Sequence, residues 1–199
     1  LNNHEMSGLT SAIETIAAGL NRGSASWLLG GSCSLLLQGV KLDRFPRDID
    51  VYADAEDVML LHSCLSVDVI RSPQRDREGM YDSLLSRYKL KGYEAELVGG
   101  FKVSSGGSYY EVKIKSLLYR HAVKYELEKT SIFLMPLSHE FVFNILRGRP
   151  DRYEPIAELI RQNPAPHHEL LKHMLSLFTW SEEHKAKIKR LTGIENEIT

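Results

Sequence analysis

Two aspartates one residue apart open the stretch "DIDVYA", and Asp48 and Asp50 alternate there with Ile49 and Val51. In an extended chain successive side chains point to opposite faces, so both acids share one face and both aliphatics the other. Like charges held side by side repel, and burying them unpartnered is costly. The arrangement asks for a cation. Mg²⁺ (or Mn²⁺) suits paired carboxylates, because such hard ions take oxygen ligands and share their remaining positions with phosphate and water. Upstream, "LLGGS" places Gly30, Gly31 and Ser32 between an apolar strand and a helical run. Glycines at such a turn let a polyphosphate approach the backbone N–H groups, and Ser32 adds a hydroxyl. Downstream, "YEAELVGG" repeats the alternation, with Glu94 and Glu96 on one face and Ala95 and Leu97 on the other. If that strand lies beside the first, one glutamate becomes a third carboxylate. Glu94 lies nearer the turn at Gly92, which favours Glu96 without removing Glu94. Three carboxylates can hold two metals, one gripping a triphosphate and one lowering the pKa of an attacking hydroxyl.

These residues need a scaffold, and the patterning supplies one. Leu9, Ile13, Ile16, Ala17 and Leu20 recur at helical spacing. A strand "SWLLGG", a helix from Ser32 to Gly39, a polar loop, the strand "DIDVYAD" and a helix over 55–65 follow. The period then changes to two, and "SVDVI", "SLLSRYKL", "YEAELVGGFKV" and "YYEVKIK" read as strands. "AVKYELEK" and "SIFLMP" read as a hairpin. From Ser138 the helical period returns, with helices near 139–147, 153–162, 167–178 and 182–191, the last starting at Ser181. The expected organisation is an α/β body over 1–136 and a helical region over 137–199.

The order "LLGGS", helix, "RDIDVYA", and then "YEAELVGGF", resembles the signature of the polymerase-β-type nucleotidyltransferase superfamily. Within it the chain is most similar to small bacterial toxin-type and aminoglycoside nucleotidyltransferases. The resemblance covers residues 27 to about 101 by motif. It implies an α/β (α+β) fold, a mixed sheet flanked by helices with a helical C-terminal tail. It also implies transfer of a nucleoside monophosphate from an NTP such as ATP to an acceptor hydroxyl, with pyrophosphate leaving. Asp48, Asp50 and Glu96 would be the metal ligands and catalytic acids, and Gly30, Gly31, Ser32 and Arg47 would hold the nucleotide. Two features depart from the pattern. The spacer before Asp48 is slightly long, a cheap change in a loop. The tail has "FNILRGRPDRY", keeping Arg149, Pro150 and Asp151 without the neighbouring lysines of toxin-type relatives. A domain that keeps the fold for interaction or nucleotide binding is the alternative.

Other charged residues read in bland and sharp ways. Arg44 and Arg47 either bind triphosphate or neutralise the aspartates. Asp54 and Asp68 read as structural or exposed acids, with Asp68 held in reserve should its strand pair beside the site. "RSPQRDREG", with Arg71, Arg75 and Arg77, reads as a solvated loop. The histidines lack zinc spacing and read as surface residues. The chain has 199 residues, 43% hydrophobic, with 25 basic and 26 acidic side chains. A net charge of −1 gives no general basic surface, so an RNA or protein target is possible but not indicated. Cys33 and Cys64 lie far apart without C-x-x-C spacing and read as free thiols, which fits a reducing cytoplasm. No apolar run is long enough to span a bilayer and residues 1–9 carry no signal pattern, so the expectation is a cytoplasmic protein with no membrane partner. Acceptor, base preference and oligomeric state are not legible.

Overall fold

In a computed structural model, residues 3–90 and 92–194 are described. Helix α1 (Asn3–Leu20) leads to β1 (Trp27–Gly30), α2 (Gly31–Leu37) and β2 (Asp48–Ala53). A 3₁₀ turn (Ala55–Asp57) opens α3 (Val58–Cys64), and β3 (Asp68–Glu78), β4 (Tyr81–Leu90), β5 (Tyr93–Ser105) and β6 (Ser108–Glu111) follow. A π turn (Ile114–Leu118) and a 3₁₀ turn (Tyr119–His121) precede the hairpin β7 (Val123–Glu126) and β8 (Ser131–Leu134). The tail is α4 (Leu137–Leu146), α5 (Pro150–Gln162), α6 (Ala165–Leu177) and α7 (Glu182–Thr192).

The strands form one mixed sheet in the order β3-β4-β5-β2-β1-β8-β7, with β6 pairing on β5. The β2–β5 and β1–β8 pairs are parallel and the others antiparallel. This is the mixed α/β architecture expected from the patterning. The β7–β8 hairpin is present, Ser181 caps α7 by accepting from the His184 N–H at 3.3 Å, and Gly193 ends it at φ 75°.

Two readings of the β region need correction. The stretch 71–79, expected as a loop, continues β3 to Glu78. Pro73 is tolerated because β3 is an edge strand, and the register slips between Arg71 and Gln74, around that proline. The expected strand at 109–115 ends at Glu111, and Ile114 begins the π turn.

The alternation of β2 and β5 sorts their side chains between two cores. Ile49, Val51, Ala95 and Leu97 pack with Leu9, Ile13 and Ile16 of α1 and with Val58 and Leu61 of α3. On the opposite face Tyr52, Val98, Leu85 and Leu28 join Phe141, Val142 and Ile145 of α4, and the same cluster runs on into α5, α6 and α7. The tail helices thus share a core with the sheet. They cover only part of that second face. Toward the start of β2 and β5 it carries Asp48, Asp50, Glu94 and Glu96, and none of these four is buried.

Candidate active site

Sheet register brings Gly30, Asp50 and Glu96 into one row. Gly30 of β1 lies opposite Asp50 of β2, Asp50 opposite Glu96 of β5, and Glu96 opposite Arg87 of β4. In the neighbouring row Asp48 lies opposite Glu94 and Glu94 opposite Lys89. Glu96 is therefore level with Asp50, and Glu94 sits at the outer end with Asp48. Asp50 and Glu96 are half-buried, whereas Asp48 and Glu94 are exposed.

The turn after β1 meets this row at its inner end. Gly31 takes φ +60°, and a Cβ there would lie 2.0 Å from Asp50 Oδ2. A Cβ on Gly30 would lie 2.5 Å from the Tyr52 ring and 3.2 Å from Glu140 Oε1. Gly31 is thus required by crowding and by backbone conformation, and Gly30, whose backbone is extended, by crowding alone. The Gly31 N–H donates to Glu140 Oε1 at 2.8 Å, so that donor already has a partner. Ser32, the next residue, is half-buried.

Electrostatics set Asp50, Glu96 and Glu140 apart from ordinary surface carboxylates. Burial pushes Asp50 up to about 7, Asp48 and Glu96 add repulsion, and Arg147 pulls the other way. Burial also raises Glu96, opposed by Arg87, whose Nε lies 2.8 Å from Glu96 Oε1. Glu140 is pushed up to about 8, chiefly by burial and against the Gly31 hydrogen bond, with Asp50 adding repulsion. The Cys33 thiol donates to the Asp48 carbonyl at 3.1 Å and is held protonated by burial first and by the two aspartates second.

The donor chemistry fits a hard divalent cation, since the acids share a face and Asp50 has an unfavourable charge to neutralise. As the side chains stand, however, no three His, Cys, Asp or Glu groups among the described residues form a metal site. Glu96 is held by Arg87, so joining Asp48 and Asp50 around an ion requires it to exchange that partner.

Two residues of the site were missed in the sequence. Glu140 and Arg147 come from α4 and its end, which reads as a core helix. The signal was present, because a glutamate and an asparagine inside "SHEFVFNIL" need polar partners when the helix is buried. Arg147 stacks over the Phe143 ring at 4.9 Å from its centroid. His139, next to Glu140, is also buried rather than at the surface. Its Nδ1 lies 2.7 Å from the Tyr110 hydroxyl, and burial lowers it to about 3, so the ring stays neutral.

The remaining readings separate cleanly. Asp54 is structural, accepting from the Ile114 and Lys115 N–H groups at 2.8 and 2.9 Å. Asp68 lies on edge strand β3 opposite Lys89, three strands from Asp48 and roughly 14 Å away at ~4.8 Å per strand. Among the described residues neither Arg44 nor Arg47 forms an ion pair with either aspartate. Arg47 instead lines an open cleft of about 490 Å³ with Asp48, Lys89, Tyr93 and Glu94. Cys33 and Cys64 are free. No helix among the described residues is long and apolar enough to cross a membrane.

No protein-family profile matches the chain, and no curated protein matches it in sequence. Solved structures resemble it in fold. A proposed nucleotidyltransferase from Thermotoga maritima superposes with a TM-score of 0.61 at 19% identity, over 78% of this chain and 94% of that one. The fold is therefore shared with a nucleotidyltransferase-like structure. Looser similarity, with a TM-score of 0.49 at 11% identity over 85% and 98% of the two chains, links it to ANT(2″)-Ia in complex with adenylyl-2″-tobramycin.

Proposed function

We propose that the protein is a nucleotidyltransferase that moves a nucleoside monophosphate from an NTP to an acceptor hydroxyl. The observation that carries this reading is the register Gly30–Asp50–Glu96, which sets two acids beside a crowded glycine turn at a strand-to-helix junction. The acceptor oxygen attacks the α-phosphorus, the bond to the bridging oxygen breaks, and pyrophosphate leaves. Asp48, Asp50 and Glu96 would hold Mg²⁺ or Mn²⁺, which when bound neutralises phosphate charge and acidifies the hydroxyl. Gly30, Gly31 and Ser32 face the triphosphate. With the Gly31 N–H engaged by Glu140, this contact falls to the Ser32 N–H and hydroxyl, and the glycines supply the clearance. Glu96, made more basic by burial, accepts the acceptor's proton. The free cysteines agree with a cytoplasmic setting.

The rival is a fold kept for binding alone. It is favoured by the Arg87–Glu96 ion pair and by the occupied Gly31 N–H. Incubation with each α-labelled NTP, Mg²⁺ and a metabolite or RNA extract separates the two. Label transferred by wild type and absent with Asp50→Asn is expected. Mg²⁺-NTP binding without any transferred label identifies the rival, and no NTP binding at all refutes nucleotidyl transfer.

A further inference from the structure

The third carboxylate of the proposed metal set is held by a base of its own sheet. Arg87 of β4 lies opposite Glu96 of β5, so the two share a face, and Arg87 Nε stands 2.8 Å from Glu96 Oε1. Arg87 is exposed and Glu96 half-buried, which leaves the two side chains room to part. Among the described residues no other acid forms an ion pair with Arg87. On its other side stands Arg71 of β3, in register with Arg87 and engaged by Asp76 at 3.0 Å. Arg87 thus has a like charge on one flank and a single carboxylate on the other. Asp48 and Asp50 differ from Glu96 in this respect, since neither forms an ion pair among the described residues.

Resting on the nucleotidyl-transfer reading, we infer that Arg87 is a positioning residue that keeps Glu96 out of the metal-binding set in the free chain and yields it when an NTP arrives with the ion. Asp48 and Asp50 are then the ligands that the free chain offers, and Glu96 is the one it withholds. The exchange needs an anion. Turning Glu96 toward Asp50 strips Arg87 of its carboxylate and leaves it in register with Arg71, while Asp76 is already taken. Like charges directly opposite one another are destabilising, so an ion by itself gives little return for the turn. The phosphates of a bound NTP supply the missing negative charge through charge-assisted hydrogen bonds to the guanidinium. Arg87 stands two strands from Asp50, roughly 10 Å at ~4.8 Å per strand, within reach of a phosphate held at the acids by its long side chain. Nucleotide and ion thereby favour each other through Arg87, and such coupling is reciprocal. An ion pair with a structural role alone keeps Glu96 in every state and couples nothing.

The test asks in which state Glu96 matters. Mn²⁺ binding is read by electron paramagnetic resonance without nucleotide, and binding of the Mn²⁺ complex of α,β-methylene ATP by calorimetry. In wild type, Glu96→Gln should change Mn²⁺ affinity less than threefold, because Glu96 is engaged by Arg87. In an Arg87→Met background the same change should weaken Mn²⁺ tenfold or more, because the released carboxylate has joined the other two. Losing a nearby positive charge tightens Mn²⁺ whether or not Glu96 is present, so the difference between backgrounds isolates the pair. With the analogue complex, Glu96→Gln should weaken wild type fivefold or more. Arg87→Gln is a second release variant, and melts check that each protein is folded. Glu96→Gln weakening Mn²⁺ equally in both backgrounds overturns the inference, and so does a change without effect in either. An analogue complex that binds Glu96→Gln as tightly as wild type overturns it too. An analogue complex that binds none of the proteins removes nucleotidyl transfer instead, and the Mn²⁺ comparison then still decides whether Arg87 withholds Glu96.

Discussion

Replacing Asp50 by Asn tests the site without a substrate. Asp50 is half-buried, faces two other acids and is pushed up to about 7 from an ordinary 3.8. At pH 8 it is ionised in both the folded and unfolded chain, so the folded state bears the full cost of that charge. The gap between those values, at ~1.4 kcal/mol per pH unit, sets a ceiling of about 4 kcal/mol. Relaxation and water reduce it, and a gain of about 1–3 kcal/mol is expected for Asp50→Asn in metal-free protein, or a Tm several degrees higher. The gain should shrink as the pH falls from 8 to 5, because the wild-type carboxyl takes up a proton in the fold and loses its penalty. Millimolar Mg²⁺ should reverse the ranking at pH 8 by stabilising wild type alone. Thermal melts at both pH values, with and without Mg²⁺, decide the matter. A destabilised Asp50→Asn at pH 8, or a gain that does not vary with pH, would refute the electrostatic account and with it the case for a cation at this place.

Further outcomes follow from the surrounding contacts. Gly31→Ala should cost about 1–3 kcal/mol, because it combines a positive φ with a Cβ driven into Asp50 Oδ2; a urea melt unchanged from wild type contradicts the crowding. Glu140→Gln keeps an acceptor for the Gly31 N–H and should fold normally, whereas Glu140→Ala should lose about 1–3 kcal/mol by leaving that N–H unpaired. Equal midpoints for these two variants would show that the bond contributes nothing. Because Asp50 and Glu140 are both raised in the fold, the unfolded chain releases their protons first, and metal-free stability should fall as the pH rises above their ordinary values of 3.8 and 4.5, levelling off past about 7 for Asp50 and about 8 for Glu140. Urea midpoints that climb between pH 5 and 9 would show other groups in control.

The acids were legible because a two-residue period leaves little freedom. Once Ile49 and Val51 must enter a core, Asp48 and Asp50 have one face left to occupy. That Asp50 stands level with Glu96 was not legible, since parallel pairing of β2 with β5 joins segments whose register no local pattern records. The strand through Arg71–Glu78 was hidden for a different reason. It lies at the sheet edge with most of its side chains exposed, so it lacks the apolar alternation that marks a half-buried strand, and Pro73 punctuates it as a loop would be punctuated. Glu140 could be noticed as a polar residue in an apolar helix, but its partner, a backbone N–H 109 positions earlier, has no signature in residue type.

The Glu140–Gly31 bond also sets an order of events during synthesis. Gly31 leaves the ribosome long before Glu140, and chains emerge at ~5–20 residues per second. For several seconds, then, the turn after β1 exists without the carboxylate that will take its N–H, and with no α4 behind Tyr52. A nascent chain arrested before α4 would carry the acid pair and the glycines yet lack Glu140 and Arg147, the two charged groups of the tail that act on Asp50. The elevated proton affinity of Asp50 comes first from burial in the finished fold, so in such an incomplete chain the carboxyl should titrate closer to a surface aspartate. The chemistry of the site is thus acquired late, when the tail docks, and not when its own residues are made.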